Sequence, residues 1–274
     1  MSPAYIKQLT PEKLQDVPYT ADSLHDAAQH EPAGIYTITN TYNTFQVLKL
    51  DAHLDRMEDS AQREGIPLQL DRQHLRRALR QMIGEAGFGS VRFRITVPAA
   101  QPDHMIITLE PFTPPAPSLV HAGVRCVTAP GMIRRNPSAK TNDWIASRDS
   151  FQMPDGIYEA LLINEDGIIL EGFGSNFYAI LDGELRTAGE DVLSGIAQQI
   201  VFNVAPAIIT LRRDAVSTDD LPRLQEAFIT SSSRGVIPVI EIDQQQIGDG
   251  TPGSRTMAIR RAYVRWVESH LEEL

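Results

Sequence analysis

Apolar and polar positions in the first 112 residues predict two strands, two helices and two further strands. Two runs carry apolar residues at helical spacing, and the second of them ends at a glycine. The other runs are rich in β-branched and aromatic residues or alternate as strands do, with a turn near Tyr42-Asn43. The predicted strands lie within residues 35–50 (a pair), 90–98 and 104–112, and the helices within 51–65 and 71–87. This ββααββ order predicts an α+β unit.

The second half of the chain mixes strands and helices in the same way. A hairpin turn is predicted at Glu165-Asp166-Gly167, and a helix is expected to follow Leu193-Ser194-Gly195. A serine-rich bend separates two short apolar runs in 226–243, and residues 253–274 have the pattern of one long amphipathic helix. Further strands are expected at 124–130, 158–172 and 175–181.

A proline-rich stretch divides the two halves. Residues 110–118, EPFTPPAPS, contain four prolines, and such stretches are extended and semi-rigid between packed units. We therefore predict a smaller α+β domain at 1–110, a linker at 111–118 and a larger domain at 119–274.

Charge and cysteine content exclude several classes of function. The net charge is −10 and there is no run of basic residues, which argues against a nucleic-acid or anionic-membrane surface. No apolar run approaches membrane-spanning length and the N-terminus lacks a signal-like core, so a cytoplasmic protein is expected. The single cysteine, Cys126, can form neither an internal disulfide nor a multi-cysteine metal site, and no metal is predicted.

Lys140 is the only lysine after Leu50, although arginine supplies most positive charges of this chain. Arginine stays protonated in proteins, whereas a buried lysine can lose its proton and become a nucleophilic amine. A stray lysine in an arginine-rich chain is the plain alternative. The position gains meaning from the motifs around it.

Five motifs occur in a fixed order. They are H-x-x-R at His53 and Arg56, Lys140 itself, E-G-x-x-x-N-x-Y from Glu171, L-x-G-I from Leu193, and a serine-rich turn before P-V-x-x-I-D. In order and spacing they resemble the fold-type IV pyridoxal-phosphate enzymes, over about residues 34–260. That family includes D-amino-acid and branched-chain aminotransferases, R-selective amine transaminases and 4-amino-4-deoxychorismate lyase. The first 33 residues match no motif.

This resemblance implies a fold and an assembly. We expect the two-domain D-amino-acid aminotransferase-like fold with pyridoxal 5'-phosphate in the interdomain cleft, the larger domain binding the coenzyme. A homodimer is expected as well.

The resemblance also assigns coenzyme contacts. Lys140 is the expected Schiff-base lysine and proton shuttle, and Glu171 the partner of the coenzyme's ring nitrogen. Gly172 and Gly174 let the backbone approach the ring, and His53 is expected to be structural. The phosphate needs a fixed cation, a hydroxyl and free amides at a helix start, and Leu193 packs on the ring. The expected coenzyme-binding residues are Arg56, Glu171, Leu193, Ile196, Ala197, Ser232 and Ser233.

Substrate contacts are expected on two predicted strands. Tyr36 matches a pocket tyrosine of the family, and strand alternation puts Ile38 and Asn40 on its face. The Arg-and-His carboxylate grip of D-amino-acid aminotransferases is absent, which leaves Arg92 and Arg94 as candidates, with Arg134 and Arg135 as alternatives.

Other departures concern the motifs themselves. The chain reads KTNDW after Lys140, where branched-chain enzymes usually have N-Y, and Arg234-Gly235 replaces a usual glutamate. Ala197 stands where many relatives have threonine.

The function expected from these residues is transamination. An amino group moves from an amino acid of the D-amino-acid or branched-chain type to a 2-keto acid by way of Lys140. The alternative is a 4-amino-4-deoxychorismate lyase that uses the same residues, and a remote alternative is a non-catalytic coenzyme-binding protein. The motifs leave open the substrate, its stereochemistry and the arginine that binds its carboxylate.

Overall fold

A computed structural model describes residues 3–274, in two compact units. Unit 1 consists of the described residues up to Thr113, with Ala139–Ala146 and His270–Leu274, and unit 2 contains Pro114–Ser138 and Ser147–Ser269. The predicted domain boundaries remain a prediction, and Met1 and Ser2 of the predicted first domain lie outside the described residues. The two units are not separated at a single point of the chain, because two segments after the proline-rich stretch belong to unit 1. One of those segments contains Lys140.

Unit 1 is built on a seven-stranded sheet in the order β16-β4-β3-β5-β6-β1-β2. Its pairs are antiparallel throughout. Its strands are β1 (Tyr5–Leu9), β2 (Leu14–Gln15), β3 (Gly34–Tyr42), β4 (Gln46–Leu48), β5 (Val91–Pro98), β6 (Met105–Pro111) and β16 (Leu271–Glu273). The predicted pair of strands in 35–50 and the strands at 90–98 and 104–112 are confirmed as β3 to β6.

Three helices belong to this unit: α1 (Leu24–His30), α2 (Leu50–Arg63) and α3 (Arg72–Ala86). Asp71 caps α3 by accepting a hydrogen bond from the His74 amide, and Gly87 ends it in the left-handed conformation. The apolar faces of α2 and α3 share one core with Phe93, Ile95 and other residues of the sheet. The two predicted helices are therefore confirmed, and α1 is an element that the sequence analysis did not predict.

The C-terminus corrects one prediction. Residues 253–274 do not form one helix, because α7 (Ser254–Ser269) ends and β16 pairs with the edge strand β4. Glu272 also accepts a hydrogen bond from the Leu50 amide at 3.1 Å, satisfying one free amide at the start of α2. Leu-Glu-Glu favours helix locally, so the backbone and side-chain partners offered by unit 1 decide the conformation.

Unit 2 contains a nine-stranded sheet. Six of its strands, β10, β13, β14, β7, β8 and β9, form a closed path because β9 also pairs with β10. Its strands are β7 (Val124–Ala129), β8 (Glu159–Ile163), β9 (Ile169–Gly172), β10 (Ser175–Leu181), β11 (Glu184–Arg186), β12 (Leu211–Arg212), β13 (Glu226–Ser231), β14 (Gly235–Ile242) and β15 (Gln245–Gln246). Phe177, Ile229 and Ile237 belong to the core of this unit. Strands predicted within 124–130, 158–172, 175–181 and 226–243 are confirmed.

The helices of unit 2 are α4 (Pro117–Ala122), α6 (Ile196–Val204) and α7, and α5 (Asp143–Asp149) begins in unit 1. Two short 3-10 helices occupy Ala205–Ala207 and Thr218–Arg223. The helix predicted after Gly195 is confirmed as α6. The irregular part of the proline-rich stretch is shorter than predicted, because Pro111 ends β6 and Pro117 begins α4. The fixed φ of proline suits the first residue of a helix.

Candidate active site

Lys140 lies beside the N-terminal half of β3 in unit 1. The Tyr36 amide donates to the Lys140 carbonyl at 2.9 Å, and the Asn142 amide donates to the Gly34 carbonyl at 3.0 Å. The Asn142 side chain completes the attachment by accepting from the Gly34 amide at 2.8 Å and donating to the Pro32 carbonyl at 2.6 Å. The segment around Lys140 is thus fixed by backbone bonds to the sheet, and these bonds explain why it belongs to unit 1.

The Lys140 amine is directed at an aromatic ring. Its Nζ lies 4.6 Å from the centroid of the Tyr36 ring. The Lys140 amide donates to Ser60 Oγ of α2 at 3.1 Å. Tyr36 and Ser60 therefore hold the residue from two elements of the same unit.

Arg56 and His53 meet at Thr37 on β3. Arg56 Nη2 donates to Thr37 Oγ1 at 3.4 Å, and His53 Nδ1 lies 3.0 Å from the same oxygen. His53 is buried, and that burial, with the positive charges of Arg56, Lys140 and Lys49, lowers its pKa well below 6.5. His53 is therefore neutral at physiological pH and has the structural contacts expected of it.

We expect stability to depend on pH through His53. Below about pH 6.5 the unfolded chain protonates this residue and the folded protein does not, so the free energy of unfolding falls as the pH is lowered. The slope contributed is about 1.4 kcal/mol per pH unit until the folded pKa is reached. Urea unfolding between about pH 5 and pH 8 measures it. A His53→Gln variant should lose this component and an exposed His25→Gln control should keep it; equal slopes in wild type and His53→Gln would contradict the prediction.

The predicted substrate residues occupy one face of two paired strands. The register sets Tyr36, Ile38 and Asn40 of β3 directly opposite Thr96, Arg94 and Arg92 of β5. Because side chains alternate along a strand, all six project to the same side of the sheet. The structure therefore brings together the five substrate candidates that the sequence analysis selected.

Arg94 is the buried arginine of this face, with only 3% of its surface exposed. Its Nε donates to Glu31 at 2.8 Å and to Thr96 Oγ1 at 2.9 Å, and its guanidinium lies 3.9 Å from the centroid of the Tyr36 ring. Arg92 instead pairs with Glu110 at 3.3 Å and is 41% exposed on its side chain. Glu31 follows α1 in the segment that matched no motif, and the sequence analysis did not identify it.

Glu171 lies on β9 in unit 2, opposite Asn176 of β10. Its Oε2 accepts from the Leu193 amide at 3.2 Å and from Asn176 Nδ2 at 3.4 Å, and its Oε1 lies 3.4 Å from Arg134 Nε. Both charged side chains are almost fully buried, at 3% and 7% exposure. Arg134 is therefore paired with a carboxylate of its own unit. The sequence analysis had considered it only as an alternative ligand for the substrate carboxylate.

The start of α6 is attached to this carboxylate. Asn176 donates to the Leu193 carbonyl at 2.9 Å while Glu171 binds the Leu193 amide, so both sides of this residue are held. Gly195 is required here, because a Cβ would lie 2.1 Å from the Asn176 side-chain oxygen. No side chain caps α6, so the amides of Ile196 and Ala197 at its first turn are oriented as in helix-terminal anion sites.

Ser232 and Ser233 lie in the turn between β13 and β14. The next residue, Arg234, donates to Ser231 Oγ at 2.9 Å, to the Gly174 carbonyl at 3.0 Å and to Glu159 at 2.9 Å. This turn is thereby bound to the β9–β10 turn that follows Glu171.

The predicted residues thus form two groups. Unit 1 holds Lys140 and Arg56 with the five substrate candidates; unit 2 holds Glu171, Leu193, Ile196, Ala197, Ser232 and Ser233. The sequence analysis missed Glu31, Thr37, Ser60 and Asn176 as partners. Of these four, only Asn176 belongs to a motif identified in the sequence, E-G-x-x-x-N, so its role could have been predicted. No sequence motif marks the other three.

Comparison with known proteins agrees with this fold. The T.th. branched-chain amino acid aminotransferase, in a structure with pyridoxamine 5'-phosphate, superposes with a TM-score of 0.81 at 20% identity over 97% of this chain and 98% of that one. The Escherichia coli branched-chain amino acid aminotransferase gives 0.76 at 20% identity over 99% of both chains. The predicted fold class, the α+β fold of type IV pyridoxal-phosphate enzymes, is confirmed.

A family model shows which family the chain belongs to, and sequence relatives agree with it. The D-alanine aminotransferase of Bacillus licheniformis is 27% identical over 272 residues, covering 94% of this chain and 95% of its own. The branched-chain-amino-acid aminotransferase of Pseudomonas aeruginosa is 24% identical, covering 89% and 87%. The model of the family described as amino-transferase class IV matches residues 34–242. The chain belongs to that family, and it is a transaminase that uses pyridoxal 5'-phosphate, with amino acids and keto acids as substrates.

Within residues 3–274, none of the helices combines the length and the apolar character needed to span a membrane.

Proposed function

We propose that this transaminase moves an amino group between an amino acid of the D-alanine or branched-chain type and a 2-keto acid, using Lys140 as the covalent attachment point. The observation that carries the proposal is the amine of Lys140 directed at Tyr36, with Arg56 and Arg94 on the adjoining elements. Homodimerisation and a cytoplasmic location remain predictions of the sequence.

The side chains fit the coenzyme chemically. When bound, pyridoxal 5'-phosphate supplies an aldehyde carbon that accepts the amino group and an electron-withdrawing ring. We assign the aldehyde carbon to Lys140 Nζ, the ring nitrogen to the buried carboxylate of Glu171, and the ring face to Leu193. The phosphate is assigned to Arg56, Ser232, Ser233 and the amides of Ile196 and Ala197. The uncapped start of α6 beside the Glu171 carboxylate supports this set, since its amides suit an anion and the carboxylate suits a protonated ring.

Each residue has a defined task in the reaction. Lys140 Nζ would hold the coenzyme and, as general acid–base, would take the proton from the substrate α-carbon and return it in the reverse direction. Glu171 holds the proton on the ring nitrogen because a carboxylate within hydrogen-bond reach favours the charged form. When bound, the coenzyme would carry the amino group from the amino acid to the keto acid.

For the substrate carboxylate we assign Arg94 in preference to Arg92. Arg94 Nη2 is buried and has no hydrogen-bond acceptor among residues 3–274. The Arg94 guanidinium carbon lies 3.9 Å and Lys140 Nζ 4.6 Å from the centroid of the same Tyr36 ring. These two groups are therefore at most 8.5 Å apart. Ile38 and Asn40 adjoin it on the same face.

Replacing Arg94 tests this assignment. In the double variant Arg94→Met/Glu31→Gln, which leaves no buried charge unpaired, we expect KM for amino acids to rise about 10- to 100-fold, the range for a charged hydrogen bond. Amines without a carboxylate should react at an unchanged rate. Steady-state kinetics with both substrate types measures the difference. An unchanged KM for amino acids here, with a raised one in Arg92→Met, would assign the carboxylate to Arg92.

The decisive experiment on function is the absorbance of the bound coenzyme after single additions of D-alanine, L-alanine, D-valine or L-valine, without a keto acid. Conversion to the amine form by one of these supports transamination and reports the stereochemistry. Release of pyruvate from 4-amino-4-deoxychorismate, with no response to amino acids, would identify the lyase. Purified protein that binds the coenzyme and converts neither type of substrate would indicate the non-catalytic alternative.

A further inference from the structure

Arg234 connects three separate segments of unit 2. Its Nε donates to Ser231 Oγ at the end of β13, and its Nη2 donates both to the Gly174 carbonyl and to Glu159 at the start of β8. The distances are 2.9, 3.0 and 2.9 Å. A planar guanidinium with donors in a fixed fork can hold such groups together, and a lysine ammonium cannot reproduce that geometry.

The carboxylate that accepts from Arg234 lies at the start of β8 and is itself bound to the β9–β10 turn. Glu159 is buried and accepts from Ser175 Oγ at 3.1 Å. The packing here has no spare room, because a Cβ on Gly172 would lie 2.3 Å from Ser175 Oγ and 2.9 Å from Glu159 Cγ. The Tyr158 ring centroid lies 5.5 Å from the Arg234 guanidinium and covers it. A shift of Arg234 would therefore move both turns.

Residues in or beside these two turns are assigned to opposite ends of the coenzyme. Ser232 and Ser233 directly precede Arg234 and are assigned to the phosphate. Glu171, assigned to the ring nitrogen, is three residues before Gly174, whose carbonyl Arg234 binds. We propose that Arg234 is a positioning residue that fixes the Ser231–Gly235 turn against the β9–β10 turn and so sets the spacing between the phosphate and ring-nitrogen contacts.

This inference rests on the proposed coenzyme assignments and extends them to a residue outside the coenzyme's contacts. It also gives a role to a departure from the family pattern, since Arg234 occurs where the resemblance leads one to expect a glutamate. In this chain Arg234 forms an ion pair, and its acidic partner is Glu159 on β8.

The test is the dissociation constant of pyridoxal 5'-phosphate for the apoprotein, measured by quenching of tryptophan fluorescence. We expect Arg234→Lys and Arg234→Met each to weaken binding about tenfold or more. Arg234→Lys keeps a positive charge for Glu159 but loses the fork, so its apoprotein should unfold near the wild-type temperature. Loss of affinity without loss of apoprotein stability separates positioning from a structural role.

A double-mutant cycle with Ser232→Ala shows whether Arg234 acts through the turn. If it does, the combined Arg234→Lys/Ser232→Ala variant should bind the coenzyme much better than the product of the two single effects predicts. In a cycle with Arg56→Ala, on another unit, the effects should multiply to within about twofold. Arg223→Lys, an exposed arginine paired with Asp182 at the other end of β10, is the matched control and should bind as wild type does.

The outcomes that overturn the proposal are distinct. Wild-type affinity in Arg234→Lys, or multiplicative effects in the Ser232 cycle, removes the positioning role and leaves the proposed function intact. Failure of the wild-type apoprotein to bind the coenzyme overturns both.

Discussion

Lys140→Ala is expected to abolish covalent attachment of the coenzyme and to lower the transamination rate by about 10³-fold or more. In the proposed function this amine is both the attachment point and the group that moves the proton from the substrate α-carbon, and loss of a general acid–base alone costs about 10²–10⁴-fold. The measurements are the mass of the protein after borohydride reduction and the rate of the first half-reaction with an amino acid.

Two companion variants sharpen this result. Lys140→Arg keeps the positive charge near Tyr36 but cannot offer an unprotonated amine, so it should be as inactive as the alanine variant. Lys13→Ala, at an exposed position, should retain full activity. A coenzyme adduct that persists in Lys140→Ala after borohydride treatment and dialysis would place the attachment elsewhere.

Glu171→Leu should have the next largest effect, on activity and on stability together. Removing the carboxylate leaves Arg134 buried beside it, and breaking a buried ion pair costs about 3–5 kcal/mol of unfolding free energy. It also removes the negative charge assigned to the ring nitrogen, and loss of one such preorganised group costs about 10²–10³-fold in kcat. Urea unfolding of the apoprotein and steady-state kinetics measure the two effects.

The double variant Arg134→Leu/Glu171→Leu separates these effects. With both charges removed, the unfolding free energy should recover most of its loss, because no uncompensated ion remains buried. The activity should stay as low as in Glu171→Leu. Recovery of activity together with stability would show that Glu171 serves the fold alone and would remove it from the catalytic set.

The secondary structure followed closely from the sequence wherever one face of an element is buried. Helix α3 shows why, since its apolar spacing, the Asp71 cap and the terminal Gly87 all act within a few residues. The C-terminal strand shows the opposite case. The sequence of Leu271–Glu273 has no strand pattern. This segment forms a strand because it pairs with the free edge of β4.

In the candidate site, too, some features could be predicted from the sequence and others depend on the tertiary structure. The order of motifs around Lys140 and Glu171 predicts which groups are reactive, because an amine or a carboxylate is a property of a single residue. Partners such as Glu31 for Arg94 and Arg134 for Glu171 depend on which strands and loops meet, and 63 residues separate the first pair in sequence.

The sequence by itself determined the family, the coenzyme class and the strand that carries Glu171, since local periodicity and motif order encode them. The tertiary structure alone decided that Lys140 belongs to the unit that precedes it in the chain, that Arg94 and Arg134 are paired with buried carboxylates, and that Arg234 joins two turns. Those outcomes depend on hydrogen bonds and ion pairs between residues distant in sequence, for which no local pattern exists.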